Sequence, residues 1–222
     1  MTLADFDQYS AGITSLTLAL DGSAPLIGSK SLYFSGASTS TSHQRLHLVR
    51  NVAGQFGKSK GRRRGLFQVG TSDTGMTEDT SHYYGFLAMQ SAANITSTGT
   101  AYACVLRSFE VLQLLKITAG GLSASWTVQF LGQHGPAFTK GTVIALEFEW
   151  IADLDQRGGT QLTIRTGSAT DYSDLAPVLT YMDTATPLLT SAGEGEFFRD
   201  RPGAGIYTIN CRIDATQFAA AS

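Results

Sequence analysis

Apolar and polar side chains alternate in step along much of this chain, and a period of two marks an extended strand with one buried face. In Thr142–Trp150, residues Ile144, Leu146, Phe148 and Trp150 fall on one face, with Ala145, Glu147 and Glu149 on the other. Near the C-terminus Tyr207, Ile209, Cys211 and Ile213 oppose Thr208, Asn210, Arg212 and Asp214. Further strands are predicted over 13–20, 31–34, 46–52, 66–69, 83–90, 102–107, 127–131, 161–165 and 178–181. The composition of Phe109–Thr118 permits a short helix, but its place between strand-like neighbours favours a long strand.

Turn-forming residues separate these runs: Asp21-Gly22, Gly57, Gly61, Gly120-Gly121, Gly135-Pro136 and Gly158-Gly159. The clearest local unit is the hairpin Glu147–Arg165, with Asp153–Gly159 as its loop. About a dozen short strands without helical periodicity predict an all-β, two-sheet antiparallel sandwich. No fixed repeat supports a propeller or β-helix. No change of composition marks a linker, so residues 1–222 read as one domain, with 71–81 and 91–100 as long polar loops.

Composition agrees. Gly, Ser and Thr supply 71 of the 222 residues, and Lys only five, which suits strands joined by turns. Charged residues are 15% of the chain, too few for a disordered acidic or basic tail or a coiled coil. A chain of this size buries roughly 70% of its surface and needs no metal or disulfide staple. Cys104 and Cys211 each lie in an alternating apolar run outside any CxxC pattern, so they read as buried thiols. Whether their strands are close enough to pair is open at this level. No stretch of 18 uncharged apolar residues predicts a spanning helix. The opening residues lack a basic segment followed by an apolar one, so no secretory leader is expected. The net charge of −2 conceals one concentration: Lys58, Lys60, Arg62, Arg63 and Arg64 occupy seven positions flanked by glycines. That run predicts a basic loop near 57–65 and a candidate contact for an acidic protein surface or phosphate. No aromatic is interleaved to stack on bases, which disfavours nucleic acid.

Several segments resemble the concanavalin A-like jelly roll, the fold of laminin-G-like domains and of many phage virion proteins. Asp5-Phe6 precedes Gly28-Ser-Lys-Ser-Leu-Tyr-Phe34, similar to the Gly…Ser-Leu-x-Phe strand near the start of that fold. Leu112-Gln-Leu-Leu-Lys-Ile117 resembles its central strand, and Thr142–Trp150 with Gln161–Arg165 its glycine-linked strand pair. Pro187–Phe198 followed by Gly205–Asp214 resembles its closing segment. The resemblance spans nearly the whole chain and implies a jelly-roll sandwich. Such sandwiches host lectins, hydrolases and structural proteins alike.

Hydrolases of this fold carry Glu, Asp and Glu at alternate positions of one strand, and retaining glycoside cleavage needs two carboxyl groups about 5–5.5 Å apart. Glu147 and Glu149 share a face, but no third acid follows in register, so they read as solvated glutamates. Ca²⁺, which some relatives of this fold bind, requires six to eight oxygen ligands. Asp153, Asp155, Asp171 and Asp174 lie in loops but form no D-x-D-x-D-G pattern, so they read as turn formers and leave Ca²⁺ a minor possibility. His43 and His47 are too few for a zinc site. There is no G-x-S-x-G elbow and no phosphate-cradling loop. Trp150 belongs to the apolar face, whereas Trp126 is a candidate platform for stacking on a sugar ring.

These features yield the expectation of a non-enzymatic structural protein of a virus particle, a capsid decoration or tail or fibre component, without cofactor. It would assemble in the host cytoplasm, form homo-oligomers and dock on other virion proteins through surfaces such as Lys58–Arg64. The alternative expectation is a lectin-like carbohydrate-binding module.

Overall fold

The computed structural model describes residues 6–11, 16–38, 45–50, 59–73, 83–91, 99–121, 124–153, 158–190, 193–199 and 207–219. These residues build fourteen strands, numbered in chain order, and no helix. One sheet runs β1 (Phe6–Ala11), β4 (Arg45–Arg50), β13 (Gly193–Arg199), β6 (Tyr83–Gln90), β7 (Ala101–Arg107), β8 (Val111–Gly121), β9 (Ala124–His134). The other runs β12 (Ala176–Asp183), β11 (Thr160–Gly167), β10 (Ile144–Ala152), β5 (Lys60–Val69), β14 (Tyr207–Ala219), β3 (Ser31–Ser38), β2 (Leu16–Asp21). Every neighbouring pair is antiparallel. The predicted two-sheet sandwich is the observed architecture.

The alternating pattern explains the core. Ile144, Leu146, Phe148 and Trp150 of β10 meet Tyr84 and Phe86 of β6 and Tyr102, Cys104 and Leu106 of β7 in one buried cluster between the sheets. Phe67 packs edge-on against Phe86 at 5.2 Å, joining β5 to β6 across that space. Cys104 and Cys211 are both buried in this cluster as free thiols, on strands of opposite sheets. β6 and β7 are buried on both faces. Their outward residues Tyr83, Leu87, Ala101, Ala103 and Val105 join Leu115 and Ile117 in a second apolar cluster.

The basic run departs from expectation. Residues 60–65 are not a loop but the first half of β5, held between β10 and β14. Arg63 lies opposite the core residue Phe148, is fully buried, and places its guanidinium 5.7 Å from the Phe86 ring centre. Arg62 and Arg64 point to the opposite face, where they lie across from Glu149 and Glu147. An arginine run can therefore occupy a central strand because a neighbouring strand supplies carboxylates at the same alternation.

A buried polar network ties the sheets together at one end. The Lys116 ammonium of β8 donates to Asp183 Oδ2 of β12 at 2.7 Å, and the Tyr102 hydroxyl of β7 donates to the same oxygen at 2.7 Å. Lys116 also donates to the Thr186 hydroxyl and carbonyl, and the Leu188 amide donates to the Tyr102 hydroxyl at 3.0 Å. Burial works to raise the Asp183 pKa, but Lys116 and Tyr102 outweigh it and hold that carboxyl below its ordinary range.

Candidate functional site

The outer face of the first sheet carries a chain of polar side chains across four strands. Tyr83 on β6 lies directly opposite Arg107 on β7, and Gln113 on β8 lies directly opposite Gln133 on β9. The Arg107 guanidinium sits 4.0 Å from the Tyr83 ring centre and 5.1 Å from that of Phe109. Arg107 Nη1 donates to Gln113 Oε1 at 2.6 Å, and Gln113 Nε2 donates to Gln133 Oε1 at 2.9 Å.

The direction of this chain is chemically forced. A guanidinium only donates, so Gln113 must accept through its oxygen and offer its NH₂ onward. Gln133 in turn accepts through its oxygen and presents its own NH₂ at the surface. Each bond polarises the next, so the buried positive charge sharpens an outward-facing donor. Arg107 and Gln113 are buried, whereas Gln133 is exposed.

Beside that donor lies an exposed ring. Phe130 is 56% exposed and its neighbour Val128 is 42% exposed, although both are large and apolar. Phe130 and Gln133 are an odd number of positions apart and would face opposite ways on a regular strand. The register shift between Leu114 and Leu115, however, sets Phe130 opposite Leu115 and Gln133 opposite Gln113. This bulge on β9 turns both side chains to the outer face. An apolar ring and a fixed amide donor side by side can stack on the apolar face of a ligand and bond its oxygens.

The sites expected from sequence are placed differently. Glu147, read as solvated, is buried and accepts from Arg64 Nε at 2.5 Å and Arg165 Nη1 at 2.7 Å. Arg165 also reaches Glu149 at 3.2 Å. Burial opposes the Arg165 charge, but Glu149 and Glu147 outweigh it and raise its pKa. Both glutamates thus take part in ion pairs within the second sheet, and the buried Glu147 carboxylate is held between two guanidinium groups. Of the expected contact residues, Arg63 is buried in the core, Arg64 is ion-paired and Arg62 is half-buried. Only Lys60 is exposed, and Lys58 lies outside the described residues. Among the described residues of the run, Arg62, Arg63 and Arg64 are therefore not an exposed patch of cations.

Trp126 falls on β9, but its side chain is outside those described, as are His43, Asp155 and the His47 side chain. Asp153, Asp171 and Asp174 act as turn formers: Asp153 accepts from the Gly158 amide, Asp171 from Ser173, and Asp174 from Ser168 and Ala169. Among the described residues no group of three or more His, Cys, Asp or Glu could hold a metal ion, and no helix could cross a membrane.

The sequence reading missed the Arg107–Gln113–Gln133 chain. Its one available signal was Gln113, a lone amide in the apolar run Val111–Leu115. A polar residue in a strand buried on both faces must find a partner.

No family model and no curated protein matches this chain. Solved structures do. An endo-β-1,4-glucuronan lyase from the fungus Trichoderma reesei superposes with a TM-score of 0.56 at 12% identity, over 99% of this chain and 93% of that one. An alginate lyase from a Chlorella virus gives 0.54 at 8% identity, over 98% and 94%. The exoplasmic/lumenal domain of VIP36, in a form bound to Ca²⁺ and Man3GlcNAc, gives 0.50 at 9%, over 96% and 84%. At such identities the fold is what is shared, and it is the concanavalin A-like jelly-roll sandwich. The expectation of a non-enzymatic protein is corrected here. It rested in part on the lack of a recognised catalytic constellation, yet lyases are built on this same sandwich, so the lack of such motifs does not exclude catalysis.

Proposed function

We propose that this protein recognises a carbohydrate on the outer face of its first sheet, along β8 and β9. The observation that carries the reading is the Arg107–Gln113–Gln133 chain, which ends in a surface NH₂ beside the exposed Phe130 ring. Phe130 would stack on a pyranose face while Gln133 Nε2 donates to a hydroxyl or carboxylate oxygen. The donor is positioned without an ion, so chelation by EDTA should leave binding unchanged. Two lyases and a domain solved with Man3GlcNAc bound, among the proteins sharing this fold, support the reading.

A glycan array with the wild-type protein and the Phe130→Ala and Gln133→Ala variants tests it. Losing a hydrogen bond worth about 0.5–1.5 kcal/mol should weaken binding roughly 2- to 13-fold in Gln133→Ala. An array without specific binding, or binding indifferent to both substitutions, would sink the proposal.

The same strip favours a second reading, a structural component of a virus particle in which β9 is a contact edge. Edge strands are usually blunted by charge or proline, but Ala124–His134 contains no Lys, Arg, Asp, Glu or Pro and exposes Val128 and Phe130. A protein that is oligomeric in solution and present in purified particles would favour this reading. A monomer absent from particles would dismiss it.

A further inference from the structure

A cavity of about 360 Å³ opens at the rim of the sandwich, where β10 begins and β11 ends. Its size falls at the lower end of the range of small-molecule sites. Phe138 and Ile144, on the side of the main core, provide an apolar wall, and Thr142, Thr166 and Asp174 a polar one.

Both walls are fixed by hydrogen bonds. On the side of Phe138, the Ala137 amide donates to the Glu110 carbonyl at 2.9 Å and the Lys140 amide to Glu110 Oε1 at 2.9 Å. The Thr142 hydroxyl donates to the Thr139 carbonyl at 2.6 Å. On the opposite side, Asp174 accepts from the Ser168 amide at 2.7 Å, the Ser168 hydroxyl at 2.8 Å and the Ala169 amide at 3.0 Å. A cavity bounded by two such loops loses little freedom when a ligand enters.

The polar wall also sets the charge of what enters. The amides of Ser168 and Ala169 and the Ser168 hydroxyl hold the Asp174 carboxyl below its ordinary range, so it is ionised at neutral pH. Three of its roughly four acceptor sites are already used within its own loop. Asp174 therefore contributes a negative charge that disfavours anions and little remaining capacity to bind a ligand donor. The phenyl and aliphatic wall accepts an apolar face, and the threonine hydroxyl groups accept polar substituents.

We propose that this cavity is a second ligand site, taking a single uncharged ring with an apolar face and hydroxyl groups, of the chemical class of a neutral pyranose. It shares no residue with the strip on β8 and β9 and stands independently of it.

Saturation-transfer NMR with the methyl glycosides of glucose, mannose and galactose, and with glucuronate, tests the site. At least one neutral glycoside should give transfer, with glucuronate about fivefold weaker because of Asp174. Titration should shift backbone amides of residues 138–143 and 166–168, a readout that needs no variant. Phe138→Ala should weaken binding several-fold and Thr166→Phe, which fills the cavity, should abolish it, while Gln133→Ala should have no effect. No transfer from any neutral glycoside, shifts confined to β8 and β9, or a preference for glucuronate would overturn the proposal. Loss of binding in Gln133→Ala with retention in both cavity variants would overturn it while supporting the outer-face site.

Discussion

Replacing Lys116 with Met tests the electrostatic join between the two sheets. In the native protein the ammonium lies 2.7 Å from Asp183 Oδ2, and both side chains are at least 95% buried. The substitution keeps an apolar stem of similar length but leaves the Asp183 carboxylate with the Tyr102 hydroxyl as its main donor. Breaking a buried pair by removing one partner costs about 3–5 kcal/mol. In a domain of this size each kcal/mol moves Tm by about 2–4 °C, so Tm should fall by roughly 6–20 °C. The pH dependence supplies a second sign. In the wild type the Asp183 pKa is depressed, so its stabilisation is complete above the unfolded value near about 3.9 and is lost as pH falls through the folded value. Without the ammonium, burial should raise that pKa instead, and the deficit of the variant should grow as pH rises from 4 to 7. Removing the orphaned carboxylate as well, in Lys116→Met/Asp183→Leu, should restore much of the loss. Thermal and urea unfolding at pH 4 and pH 7 provide the readout. A single variant within about 1 kcal/mol of the wild type at pH 7, or a double variant less stable than the single, would refute the reasoning.

Three further outcomes are expected. Glu147→Gln removes the charge shared by Arg64 and Arg165, each partly exposed and able to hydrate, so urea unfolding should show a loss of about 1–3 kcal/mol. Gly85→Ala would drive a β-carbon into the Cys104 carbonyl of the next strand, and its loss should lie at the upper end of about 1–3 kcal/mol or beyond, measured by thermal melting. Burial pushes both Cys104 and Cys211 above the ordinary thiol range, so a thiol reagent such as DTNB should label neither until the unfolding transition begins. Rapid labelling of either cysteine in native buffer would contradict their placement in the core.

Where apolar alternation was strong, the fold was legible from the sequence. β6 falls over the predicted Tyr83–Gln90, the β10–β11 hairpin turns through the expected loop, and Trp150 is fully buried. Phe109–Thr118, which permitted a helix, lies largely in β8, because β7 and β9 flank it and satisfy its backbone. What failed was the reading of charge. Arg62 and Arg64 looked solvated because the residues opposite them, Glu149 and Glu147, are more than eighty positions away, and sequence spacing does not reveal which strands become neighbours. The candidate site was hidden for a similar reason. Gln113 and Gln133 are twenty residues apart, and a bulge on β9 decides which way Phe130 points. A period-two reading without the bulge assigns Phe130 and Gln133 to opposite faces.

The position of β14 has a consequence for biogenesis. This strand inserts between β3 and β5 rather than adding to an edge, so the β2–β3 pair and the block β5–β10–β11–β12 stay separate until residues 207–219 have been made. A ribosome-bound chain would hold the facing margins of β3 and β5 unpaired until that segment emerges. Such margins invite misassociation, and here the sheet closes only after the strands on both sides of the gap have been made.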